Sequence, residues 1–220
     1  MIKRHEDYTN MVQRLYAGHD ISANHSVCRN ITFQVTNACN LRCSYCYEHH
    51  KGTERMSIET GRNIVDYLLD LYEQNTSDFI NRSTKAVVLD FIGGEPLLEA
   101  ELIERVCDYW FAECFRRGVP LAPFTRISFA TNGKLWFSQE AQHLFDEYHE
   151  LMSVTISIDG IRELHDRYRI DEDGNGSFST AWAAFQDAKR KYGWLNSKMT
   201  FVPGSFRYIA DSIKMMLDEG

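Results

Sequence analysis

The chain has 220 residues, 44% of them hydrophobic and 25% charged, with a formal net charge of −7. Thirteen Phe, eleven Tyr and four Trp against four Pro exclude a disordered or low-complexity chain and are ample for one core. The acidic balance weighs against nucleic acid, no run reaches the ~20 apolar residues of a membrane span, and Met1–Asn10 is polar with no signal-peptide h-region. A cytoplasmic location is expected, where thiols stay reduced and closely spaced cysteines are metal or redox groups rather than disulfides.

In chain order, Ile31–Thr36 alternates apolar and polar residues and is predicted as a strand. Ser57 offers an N-cap for a helix whose apolar positions are Ile58, Gly61, Val65, Leu68, Leu69 and Tyr72. Ala86–Ile92 is a short apolar run, expected to be a strand buried on both faces. The helix after it, Leu98–Arg117, carries a stripe of Ile103, Val106, Cys107, Trp110, Phe111, Cys114 and Phe115, and Gly118 and Pro120 end it. The cycle repeats with strand 126–131 and helix 138–148, then strand 152–158 and helix 179–192. A fifth round is strand 198–202 and helix 206–217, with Phe206, Met215 and Met216 at core spacing. Strict alternation implies right-handed crossovers and a parallel sheet, either doubly wound or part of a (β/α) barrel.

In both architectures ligands bind at the carboxyl ends of the strands, and there the unusual residues lie. Three cysteines follow the first strand and Gly93-Gly94-Glu95-Pro96 the second; Thr131-Asn132-Gly133 closes the third and Ser157-Ile158-Asp159-Gly160 the fourth. Cys39, Cys43 and Cys46 have the spacing C-x3-C-x2-C. Three thiolates in one loop suit an iron–sulfur cubane that keeps one iron without a protein ligand. Zinc is the alternative, with His49 or His50 completing a Cys3His tetrahedron. The glycines allow close approach of a ligand to the backbone.

Taken together, C-x3-C-x2-C with Tyr45 before its third cysteine, the GGEP segment, and Ser157-Ile-Asp-Gly160 followed by His165-Asp-Arg-Tyr-Arg169 resemble the radical S-adenosylmethionine (radical SAM) superfamily. Within it they are similar to the subgroup of anaerobic sulfatase maturases and SPASM-type peptide maturases. The resemblance implies a partial (β/α) barrel in which five of six β/α units are visible, with residues 1–30 as a lead-in and 31–220 as a core that stops before a sixth strand. It also implies a [4Fe–4S] cluster on Cys39, Cys43 and Cys46, whose open iron chelates SAM. Gly93, Gly94, Glu95 and Pro96 would then meet the methionyl amino group, Thr131, Asn132 and Ser157 the nucleoside, Tyr45 the adenine, and Arg169 the carboxylate.

The activity so implied is reductive cleavage of SAM to a 5′-deoxyadenosyl radical. Its target would be a peptide or protein side chain, and its electron donor one such as flavodoxin or ferredoxin. A zinc-stabilised binding module and a non-catalytic core that docks a precursor peptide are the readings from other classes. No catalytic residue beyond the cluster is assignable from the sequence. Cys107 and Cys114 are read as buried thiols, Cys28 as preceding the first strand, Arg167 as part of a solvated charged turn with Asp166 and Asp171, and Asp171–Gly176 as a surface turn lacking a calcium loop's terminal Glu. Asp159 is open between a turn residue and a ligand contact.

Overall fold

The structure is a computed structural model that describes residues 28–49 and 51–219. Most of the expected lead-in and one of the two candidate zinc-ligating histidines, His50, lie outside these residues. Five parallel strands, β1 (Cys28–Thr36), β2 (Ala86–Gly93), β3 (Thr125–Thr131), β4 (Met152–Ser157) and β5 (Ser197–Lys198), lie side by side in sequence order. A doubly wound sheet reverses its strand order partway. Here the order never reverses, so right-handed crossovers place every helix on one face, as in an arc of a barrel.

The helices are α1 (Ile58–Gln74), α2 (Ala100–Arg117), α3 (Gln139–Tyr148), α4 (Arg162–Tyr168), α5 (Phe178–Tyr192) and α6 (Ile209–Glu219). Local chemistry sets their ends. Ser57 Oγ accepts from Thr60 N at 3.0 Å and Ser138 Oγ from Ala141 N at 3.2 Å, capping α1 and α3. Gly118 and Gly193 close α2 and α5 in the left-handed region, with φ of 66° and 69°.

Burial alternates along each strand. Ile31, Phe33 and Val35, Val87, Leu89 and Phe91, Ile127 and Phe129, and Val154 and Ile156 face the helices and are buried. Phe33 stacks on Phe91 at 5.2 Å between ring centroids, and Trp136 lies 4.3 Å from Phe145. The intervening residues Thr32, Gln34, Arg126 and Ala130 are exposed on the other, concave face.

This face corrects one expectation: β2 is buried on one side only, and its Ile92 is 41% exposed. Cys28 begins β1 instead of preceding it. Phe115 ends the α2 stripe yet is 90% exposed, and Phe206 is also exposed, whereas Met215 and Met216 pack on the core. The expected fifth strand shrinks to two residues, and α4 was not expected at all. Among the described residues no helix is long and apolar enough to cross a membrane.

Candidate functional site

The carboxyl ends of the strands surround a cavity of ≈ 380 Å³. Its walls include all twelve residues singled out in the sequence: Cys39, Cys43, Cys46, Tyr45, Gly93, Gly94, Glu95, Pro96, Thr131, Asn132, Ser157 and Arg169. Residues that the sequence did not mark, among them Lys51, Lys198 and Thr200, line it too.

The loop from Ala38 to Cys46 has no regular structure of its own, so its shape is imposed by neighbours. Gly94 N donates to Thr36 O and Glu95 N to Ala38 O, at 3.1 and 2.9 Å. On the far side, Arg42 N donates to Ile170 O at 2.7 Å and Ser44 N to Tyr168 O at 3.0 Å. Asn132 Nδ2 donates to Asn40 Oδ1 at 2.7 Å and stands 4.0 Å from Cys39 Sγ. The three thiols are half-buried and unpaired with one another. Burial pushes the Cys39 and Cys43 thiols up from their ordinary range, with Arg169 opposing this at Cys43.

Close packing explains the glycine pair. A Cβ at Gly94 would lie 2.3 Å from Ala38 O and 2.8 Å from Asn37 O, both backbone atoms. Gly94→Ala is therefore expected to displace the cysteine loop, costing about 1–3 kcal/mol and reducing iron uptake several-fold. Gly118→Ala, at a left-handed cap with open space around it, should cost about 1 kcal/mol and leave iron uptake unchanged. Urea midpoints and iron content on the two variants separate these effects.

Glu95 is 1% exposed. Its Oε1 accepts from Leu97 N at 3.1 Å and Thr131 Oγ1 at 2.6 Å, and its Oε2 from Asn132 N at 2.8 Å. The carboxylate thus ties the end of β2 to the end of β3. Burial raises its pKa, against the pull of these donors.

Asp159 is fully buried and stands behind the cavity wall, its oxygens bonded within the chain. It accepts from Arg169 Nε at 2.8 Å and Nη2 at 3.1 Å, from Thr200 N at 2.9 Å, and from the Tyr45 hydroxyl. Burial raises the Tyr45 pKa, so the phenol keeps the proton it donates. The Arg169 guanidinium lies 5.5 Å from the Tyr45 ring centroid. With its Nε–Nη2 edge on Asp159, Arg169 makes no hydrogen bond from Nη1 among the described residues. Arg167 instead lies over the Tyr208 ring, at 5.8 Å.

Behind this group sits His165, also fully buried. Its Nδ1 accepts from Asp159 N at 3.3 Å, which leaves the proton on Nε2, 2.9 Å from Ser177 Oγ. Ser177 Oγ donates to Arg169 O at 2.9 Å. Burial, helped by Arg169, pushes the His165 pKa down to about 4. An unfolded histidine, near 6.5, binds a proton that the folded ring refuses until about pH 4. Stability should therefore fall as pH drops from about 6.5 towards 4, with a slope approaching ~1.4 kcal/mol per pH unit from this group. Urea titrations from pH 7 to 4.5 check this, and His165→Gln should remove that part of the slope whatever it does to stability at pH 7.

Among the described residues no three His, Cys, Asp or Glu side chains converge as a single ion requires. The thiols stand instead around a cavity with Gly93 and Gly94 in its wall. An all-sulfur donor set in a roomy, glycine-lined recess fits an iron–sulfur cluster.

Parallel strands in unreversed order, with thiols and a glycine-rich turn around a cavity at their carboxyl ends, place the chain among barrel-like α/β proteins. Residues 33–214 match the Radical SAM superfamily, and the chain belongs to that superfamily. Membership brings with it the superfamily's cofactor pair, a [4Fe–4S] cluster and S-adenosylmethionine. The chain is 30% identical over 144 residues to a cysteine-type anaerobic sulfatase-maturating enzyme of Clostridium novyi, covering 64% of this chain and 35% of that one. It is 30% identical over 142 residues to Fe-coproporphyrin III synthase of Methanosarcina barkeri, covering 63% and 29%. The fold matches that of anSMEcpe, solved with AdoMet and the Cp18Cys peptide, with a TM-score of 0.65 at 23% identity over 87% of this chain and 48% of that one. The chain thus spans about a third of the length of these two curated relatives.

Proposed function

We propose that this chain is the core of a radical SAM enzyme that modifies a peptide or protein side chain. The observation that carries the reading is the convergence of three thiols, the GGEP turn and Arg169 on one cavity. Cys39, Cys43 and Cys46 would hold the cluster and leave one iron open to SAM. Bound there, the cofactor pair supplies one-electron cleavage of the sulfonium to a 5′-deoxyadenosyl radical.

The chain's own work is binding and aiming. Backbone carbonyls of the Gly93–Pro96 turn would accept from the SAM ammonium, and the guanidinium of Arg169 would pair with its carboxylate. Thr131, Asn132 and Ser157 would serve the nucleoside, with Tyr45 towards the adenine. Glu95 supports the turn from behind, since its oxygens are already taken up within the chain. The concave face of the sheet is where substrate would meet the radical.

The peptide class is supported by the subgroup motifs Ser157–Gly160 and His165–Arg169 and by the sulfatase-maturating relative. The experiment is anaerobic reconstitution with iron and sulfide, then SAM and dithionite. About four irons per chain and release of 5′-deoxyadenosine are expected; one zinc per chain with no colour would overturn the reading. Feeding the loaded protein with candidate peptides, and separately with an iron porphyrinoid, tests the substrate class. Turnover of the porphyrinoid alone would replace the peptide assignment.

A further inference from the structure

Around the cysteines, the cations of the chain are not equivalent. Arg169 spends its charge on Asp159, and Arg42 pairs with Glu172 while donating to Cys39 O. Lys51 differs. Its Nζ lies 3.0 Å from Cys46 Sγ, its side chain is only 11% exposed, and it lines the cavity. Among the described residues it is the one charged side chain that hydrogen-bonds a cysteine sulfur. Its nearest carboxylate is Glu48, 3.7 Å away and outside the direct contact with the sulfur.

The electronic state of an iron–sulfur cluster responds to net charge and to hydrogen bonds on its sulfurs. A half-buried ammonium on a ligating sulfur supplies both, where solvent screens it weakly. We propose that Lys51 is a positioning residue that sets the cluster's reduction potential: its ammonium on Cys46 Sγ stabilises the reduced, more negative cluster. In the step concerned, one electron passes from a low-potential donor of the flavodoxin or ferredoxin class to the cluster. The cluster charge falls by one and Lys51 keeps all its protons. Glu48 moderates the effect by withdrawing part of the ammonium's field. The inference rests on the cluster reading above.

The test is a midpoint titration of the reconstituted protein, followed by the electron paramagnetic resonance of the reduced cluster, without SAM. Iron content is measured on the same samples. In Lys51→Met the equilibrium constant for one-electron reduction should fall about tenfold, which is about 59 mV to lower potential. Lys51→Arg, which keeps the charge, should stay within about twofold of wild type. Glu48→Gln should move the potential the other way by a smaller amount. Wild-type potentials in iron-loaded Lys51→Met and Glu48→Gln would overturn the inference while leaving the cluster in place. If Lys51→Met does not load iron, Glu48→Gln decides, and no upward shift there overturns it. Failure of the wild type itself to load iron would overturn the functional reading and this inference with it.

Discussion

A Cys43→Ala chain is expected to fold as the wild type does and to retain less than one iron where the wild type holds about four. Cys43 is half-buried, and its thiol makes no hydrogen bond among the described contacts. Only its carbonyl is used structurally, accepting from Cys46 N at 3.0 Å, and alanine keeps that group. The loss in stability should stay within about 1 kcal/mol, since nothing buried is left unpaired. Release of 5′-deoxyadenosine should fall below detection, as Cys39 and Cys46 alone would leave two of the four irons without a protein ligand. Urea midpoint, iron content and chromatography of the SAM products check the three parts separately. A variant that keeps its iron and colour would show that the cluster is held elsewhere.

Glu95→Ala is expected to have the opposite character, costing fold and site together. It removes the acceptor of three donors, Leu97 N, Thr131 Oγ1 and Asn132 N, in a place that water does not reach. Each donor left unsatisfied costs about 1–3 kcal/mol, so a loss of about 3–9 kcal/mol follows from the three. That is a large share of the 5–15 kcal/mol that holds a typical domain. Glu95→Gln keeps one acceptor oxygen but turns an amide donor towards other donors, and should fall between the two. The measurement is the urea midpoint of the apoprotein, before any cofactor is added. Were Glu95 instead a free acceptor for the SAM ammonium, Glu95→Gln would leave that midpoint alone and weaken SAM binding only.

The sequence carried the element order because apolar period 3.6 and short apolar runs survive any tertiary arrangement. It could not show which face of β2 would be open, since a concave barrel wall and a covered sheet are both written in apolar residues. The β5 discrepancy has a local cause. The ladder to β4 ends with Ile158 N donating to Lys198 O, and two residues later Thr200 N turns to Asp159 Oδ1. A side-chain acceptor thus takes a backbone donor that a longer strand would have paired. Helix α4 was hidden because its seven residues have no side-chain N-cap and only Leu164 and His165 are buried.

The site residues were legible through motifs, but the use made of them was not. Glu95 reads as an exposed acceptor until Thr131 and Asn132 are seen bonded to it. Asp159, next to Gly160, has the local chemistry of a turn; only the placement of Tyr45 and Arg169 gives it a function. Lys51 had no signal at all, because a lysine five residues past a cysteine is ordinary in any soluble chain.

The anchoring of the cysteine loop also bears on when the site can exist. Tyr45 meets Asp159 across 114 positions of chain, and Arg42 and Ser44 meet Ile170 and Tyr168 over similar spans. None of these bonds can form on a growing chain until the fourth β/α unit has emerged and packed. Loop closures of that length are paid for late in folding, after the local helices and neighbouring strands are made. The three thiols are therefore in order of synthesis among the first groups of the site to appear, and in order of assembly among the last to be arranged. Iron and sulfide would then reach the three thiols only after these four β/α units have packed, and not on a nascent peptide.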